Sequence, residues 1–316
     1  MHRNASASGA AIVRPASLAL PILLAALSLA GCAGVAQPGA VRPSRAEDES
    51  SPAALTAIVA ERRAALTSLR ATGKLQVTID ARRGDEIRRN RVRASQAILV
   101  QGPASFRLEA LSPFGVTYAV ASDGREIAVL IPSEGLVYRG SADLETVAAA
   151  IGVAATPTDI TALLLGLPPA PPLDLRNAWI SRPGPGATAP DDGSTALAPT
   201  VLLHATARDD PDDLVVLGFA DAPSADGAFV PVLYERITGS GDLVLRARFG
   251  AFRSTAAGAL ASRVEIRATD SEAVLTYGDV EVNPAIEPGR FAVTTPAGAR
   301  EIRLDAGAVT NVDDPA

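Results

Sequence analysis

The sequence predicts a mainly β fold: a curved, half-open antiparallel β-barrel with helices plugging its open side and a hydrophobic cavity between. Three observations predict it. Apolar residues alternate with polar ones in two long blocks, separated by a pair of short helical patterns. Roughly a dozen strands in one domain curl or close rather than stay flat. The inward rows are aliphatic and carry no titratable group, which suits a cavity for hydrocarbon.

Before the first block stands a leader. Residues 1–31 have a basic start (His2, Arg3, Arg14), then an apolar run that is long enough for a signal-peptide core and too short to span a bilayer. The leader closes on Leu29-Ala30-Gly31-Cys32, which reads as a lipobox with Cys32, the only cysteine in the chain, as the lipidated residue. Acylation removes a thiol that would be a liability in an oxidising compartment and supplies a stable anchor. Residues 32–50 are small, Pro-containing and polar, a flexible tether. The expected domain runs over 51–304, with a Pro/Gly-rich loop at 182–199 and a disordered tail at 305–316.

Within the domain, Ser51 is an N-cap with Pro52 at the first helical position, and Leu55, Ile58, Val59, Leu66 and Leu69 form one stripe up to Gly73. Glu61, Arg62 and Arg63 interrupt or flank that stripe. A meander follows. Leu75, Val77 and Ile79 alternate with polar residues, and the long strand from Arg88 to Gln101 slips its alternation near Ala97-Ile98, as a bulge would. Phe106 and Leu108 make the next buried face, and Ser112-Pro113-Phe114-Gly115 turns the chain into Val116, Tyr118 and Val120. Asp123-Gly124 turns it again into Ile127 and Val129. Ser141 caps one helix. Thr156, Pro157 and Asp159 open a second, which carries Leu163 and Leu164 and ends at Gly166 before Pro168-Pro169. Trp179 precedes the loop and is expected to pin it, and strands resume after Thr200.

Composition narrows function. The net charge is −6, and the leader holds two of the 29 basic residues and none of the 35 acidic ones, so the rest of the chain is more acidic still. With aromatics at 4%, this is a poor nucleic-acid binder. Beyond the leader there is one histidine, His204, read as a satisfied sheet residue, and no metal-ligand spacing, phosphate loop or nucleophile elbow. Asp209-Asp210-Pro211-Asp212-Asp213 reads as a solvated turn. The expectation is a protein that is not an enzyme and needs no cofactor or metal. Arg88, Arg89, Arg91 and Arg93, with Arg82 and Arg83, form a basic run: a solvated face, or a docking patch for an acidic partner or anionic head groups.

Gly73-Lys74-Leu75, Leu108-Glu109-Ala110-Leu111-Ser112-Pro113-Phe114-Gly115, Leu164-Leu165-Gly166-Leu167-Pro168 and Tyr277-Gly278-Asp279-Val280, together with the lipobox, resemble the LolA/LolB lipoprotein-localisation superfamily and LolB-like outer-membrane lipoproteins in particular. The resemblance implies a half-open barrel crossed by helices that accepts acylated lipoproteins from a periplasmic carrier and delivers them to the outer membrane. Phe114 matches the family's protruding apolar turn residue. The cavity walls expected here are Leu75, Val77, Ile79, Phe106, Leu108, Val116, Tyr118, Val120, Ile127 and Val129, faced by Leu163 and Leu164. The chain is thus expected to be a monomer anchored in the outer membrane and facing the periplasm, with acyl chains as ligand and a carrier protein as partner. A structural or assembly lipoprotein with a filled core is the alternative.

Overall fold

A computed structural model describes residues 51–83, 86–151, 153–184, 197–225, 227–269, 271–305 and 308–311, without the side chains of 79–90 and of the residues from 305 on. The leader, Cys32, the tether and most of the 182–199 loop therefore lie outside the described residues.

The first described element is helix α1, Pro52–Ala65, capped by the Ser51 hydroxyl, which accepts a hydrogen bond from Ala54 N at 3.1 Å. It stops well short of Gly73. The reason is tertiary. Asn283, in the left-handed region at φ 54°, accepts from the backbone N–H groups of Thr67 and Ser68 through Oδ1 (2.9 and 3.3 Å) and donates to Ala65 O at 2.8 Å. That clamp ends the helix, and β1 (Ser68–Arg83) begins at once, pairing on both sides. Gly73 is accordingly a strand residue: a Cβ there would stand 2.6 Å from Thr276 O on the neighbouring strand.

From β1 the chain meanders through β2 (Glu86–Gln101), β3 (Ser105–Ser112), β4 (Gly115–Asp123), β5 (Glu126–Ile131) and β6 (Leu136–Ser141). β2 pairs without a register shift on either side, so the bulge expected near Ala97 is absent. The shifts fall instead between Ala71 and Gly73 where β1 meets its other neighbour, the strand that carries Thr276, and between Ala110 and Leu111 in β3. Alternation looks slipped in β2 because Ala97 and Leu99, on the opposite face from Ile98 and Val100, are half-buried too.

Two short helices follow, α2 (Leu144–Ile151) and α3 (Pro157–Leu164). The cap of α2 is Asp143, not Ser141: its Oδ1 accepts from Thr146 N at 2.8 Å, while Ser141 bonds the other carboxylate oxygen. α3 begins with the expected capping box, Asp159 N to Thr156 Oγ1 at 3.2 Å and Thr156 N to Asp159 Oδ2 at 3.0 Å. It ends in a Schellman arrangement, with Leu167 N on Ala162 O and Gly166 N on Leu163 O, both 2.9 Å, and Gly166 at φ +68°.

The second block holds β7 (Leu173–Ser181), β8 (Val201–Ala207), β9 (Leu214–Ala222), β10 (Ala228–Ile237), β11 (Leu243–Thr255), β12 (Gly258–Ala268) and β13 (Ser271–Val282), which returns beside β1. A short turn of 3-10 helix, Pro288–Phe291, leads to β14 (Arg300–Asp305), which pairs with β6 in parallel. Beyond Leu304, in the segment expected as a disordered tail, the backbone adds a short strand β15 (Ala308–Asn311). The described strands form one sheet of fifteen in the order β15-β14-β6-β5-β4-β3-β2-β1-β13-β12-β11-β10-β9-β8-β7, with free edges at β15 and β7. It is open, as expected, and it curls. α3 packs on β2 and β3, yet Gly166 at its end comes within 3.1 Å, measured from an ideal Cβ, of Ala261 on β12. One continuous core joins α1 and α3 to strands of both blocks.

Candidate functional site

Register places the expected wall residues on a single face. Phe106 stands opposite Val100, Leu108 opposite Ile98 and Val120, and Val129 opposite Val120. Leu75 lies beside Leu275 and Val77 beside Ala273 and Val92. This concave face is the one α1 and α3 cover.

Burial divides the walls into two groups. Phe106 and Ile127 have no accessible surface, and Val120, Val129, Leu163 and Leu164 retain 2–4%. A side chain with so little accessible surface borders no void that admits water. At these six positions the expected cavity is filled by neighbouring side chains. Leu75, Val77, Leu108, Val116 and Tyr118 are half-buried and sit toward the end of the sheet where the β1–β2 hairpin extends past β3. Burial pushes the Tyr118 hydroxyl up to about 12. The side chain of Ile79 lies outside the described residues.

The cover over the filled part is tied down by few polar contacts. Tyr277, on β13, donates its buried hydroxyl to Leu164 O, one of the carbonyls that the end of α3 leaves without an intrahelical partner. α1 reaches the body through Arg62, whose Nη2 donates to Ala259 O, and Arg63, whose Nη2 donates to Pro168 O at 2.9 Å.

At the same end as the half-buried walls stands the β3–β4 turn. Ser112 Oγ accepts from Phe114 N at 3.2 Å and donates to Gly115 O at 3.1 Å, closing the turn on itself. Phe114 is 99% exposed, with no surface to fold back onto. Register brings two more apolar side chains to this end: Leu111 opposite Ser95, and Val92, 60% exposed, three residues further along β2. Arg91 and Arg93 of the basic run are exposed on β2, and Arg93 donates to Gln76 Oε1 at 2.8 Å. The side chains of Arg82, Arg83, Arg88 and Arg89 lie outside the described residues.

Trp179, half-exposed, stacks on His204 across the β7–β8 pair with ring centroids 4.8 Å apart and planes at 1°, and the loop it was expected to pin lies mostly outside the described residues. His204 is satisfied at Nε2, 2.7 Å from Ser181 Oγ, and has no partner at Nδ1. Burial holds its pKa below the ordinary value. In the acidic turn, Asp213 and Asp209 pair with Arg236 at 2.6 and 3.6 Å.

Sequence reasoning missed one further feature: on the opposite face of the sheet a cleft of about 450 Å³ is lined by Arg70, Thr72, Leu99, Arg107, Asp279 and Arg290. Arg62 and Arg63, read from the sequence as interrupting or flanking the apolar stripe of α1, stand within it at helical spacing from Leu55 and Val59.

No family model matches the chain, and no curated protein matches it. Among solved structures it is similar to a LolA superfamily protein from Nitrosomonas europaea, with 15% identity, a TM-score of 0.44, and coverage of 75% of this chain and 97% of that one. It is also similar to an outer membrane lipoprotein-sorting protein domain from Vibrio parahaemolyticus, with 11% identity, a TM-score of 0.44 and coverage of 74% and 94%. A DUF1329 family protein from Desulfovibrio piger matches with 11% identity, a TM-score of 0.39 and coverage of 77% and 98%.

Proposed function

We propose that the protein is a lipid-anchored envelope lipoprotein, held in the outer membrane through Cys32 and facing the periplasm, that binds acyl chains on the concave face of its sheet. Its task is lipoprotein localisation or a related lipid transfer, performed by binding alone and without a chemical step. The observation that carries this reading is the aliphatic concave face under a two-turn helix, α3, whose far end is tied to the sheet by the hydroxyl of Tyr277. Such a cover can be displaced by a ligand that replaces its contacts. At about 0.8 kcal/mol per buried CH₂, a sixteen-carbon chain needs a face that returns on the order of 12 kcal/mol, and only an extended aliphatic surface does so. The exposed Phe114 at the open end fits transfer at a bilayer.

The filled packing around Phe106, Ile127, Leu163 and Leu164 favours a second reading, a structural lipoprotein without ligand. Mass spectrometry of lipids carried by the Cys32→Ala chain, with uptake of a fluorescent fatty acid, separates the two. Co-purified acyl lipid and saturable uptake support transfer; neither lipid nor uptake would leave the structural reading.

A further inference from the structure

The apolar stripe of α1 contains two cations. Leu55 and Val59 are buried, and Arg62 follows them at i+7 and i+3, with Arg63 at i+4 from Val59. A helix that covers a core ordinarily places aliphatic residues at such positions. Here both guanidinium groups are carried in, and both Nε atoms are buried without a hydrogen-bond partner. Among the described residues neither side chain has a carboxylate within ion-pair distance; each makes a single bond, to the carbonyl of Ala259 or of Pro168. Burial lowers the pKa of both, and for Arg63 this is offset through space by Asp159, whose carboxylate is committed to capping α3, and by Tyr234.

Two guanidinium groups on consecutive residues, each half-buried with its Nε donor unpaired, are costly unless something anionic completes them. The last turn of α1 favours cations, but that field acts on them wherever they point and does not occupy their donors. Guanidinium forks match phosphate oxygens in geometry, two donors to two acceptors. The place also matters. α1 lies on the concave face, so a phosphate held here would belong to a molecule whose apolar part meets the core that α1 covers.

We propose that Arg62 and Arg63 form a site for a phosphate group, and that they select phosphate-bearing lipid over neutral acyl ligand on the concave face. The inference rests on the acyl-binding reading for its lipid half; the phosphate site itself does not.

The test uses the full chain in a non-ionic maltoside, with inorganic phosphate, dioctanoyl phosphatidic acid and dioctanoylglycerol as probes. Phosphate is expected to raise the melting temperature of the parent by a few degrees and to leave the Arg62→Gln/Arg63→Gln chain unmoved. Calorimetry is expected to show the phosphatidic acid bound more tightly than the diacylglycerol by roughly tenfold or more in the parent, and equally in the double variant. Arg62→Lys/Arg63→Lys keeps the charge, folds if the Gln pair does not, and is expected to retain part of the preference. No thermal response to phosphate together with equal affinity for the two lipids overturns the site. A thermal response with neither lipid bound supports a site for free phosphate and overturns the lipid half along with the acyl-binding reading.

Discussion

The hydroxyl of Tyr277 donates to the carbonyl of Leu164 across the core, joining the strand beside β1 to the end of α3. Burial is complete there and pushes the Tyr277 pKa up, so the group is a neutral donor at every physiological pH. Tyr277→Phe keeps the ring and removes the bond, leaving Leu164 O unsatisfied. We expect a loss of about 1–3 kcal/mol of stability. We also expect faster uptake of fluorescent fatty acid in stopped flow, because the cover opens more readily. Parental uptake rates in a measurably destabilised variant would show that α3 is not the moving part.

Leu164 itself faces the core with 4% of its surface accessible. A carboxylate at this position would be buried without a partner, at a cost of several kcal/mol unless it protonates or swings out. Leu164→Glu is expected to melt at lower temperature and to take up no lipid. Unchanged melting would mean that the helix can turn this residue to water.

Much of the sheet was legible in the sequence, because a strand with one buried face writes its period directly: β3, β4 and β5 follow from Phe106, Leu108, Val116, Tyr118, Val120, Ile127 and Val129. α3 was legible through Thr156-Pro157 at one end and Gly166 at the other, where capping chemistry restricts the residue type. β7 was not. It is an edge strand in which Arg176, Asn177 and Trp179 are exposed, so no apolar alternation marks it amid Pro-rich flanks. The end of α1 was hidden for another reason: Leu66 and Leu69 continue the helical period, and only Asn283, more than two hundred residues away, stops the helix. The parallel pairing of β14 with β6 leaves no local trace either. For the candidate site, the apolar rows could be read but not whether they line a void, since that depends on how closely α1 and α3 approach the sheet.

Trp179 is the only tryptophan in the chain, and its stacking on His204 gives a direct optical readout. Burial depresses the histidine pKa below its unfolded value, so the folded state holds the neutral ring. Below about pH 6.5 the unfolded chain binds this proton before the folded one does, and stability falls until the folded pKa is passed. Tryptophan emission is expected to drop as the stacked ring becomes an imidazolium, with a midpoint below pH 6.5. His204→Gln should abolish the step. A midpoint above 6.5 would mean that the stabilising partner of His204 is an acid rather than the indole.

Phe114 is held at the tip of a turn whose hydrogen bonds are local to Ser112 and Gly115, and it is 99% exposed. Nothing in the fold depends on its ring, so Phe114→Glu is expected to melt with the parent. Inserting the ring into a bilayer gains about 2 kcal/mol of apolar burial, and glutamate forfeits that gain and adds the penalty of desolvating a charge. Leu111 and Val92 lie at the same end and extend the apolar contact, so the loss should slow transfer rather than abolish it. The concave face is untouched by the change. Cargo binding should therefore persist while delivery to liposomes slows, and Phe114→Leu should restore most of the rate. Delivery at the parental rate from the glutamate variant would remove this side chain from the transfer step.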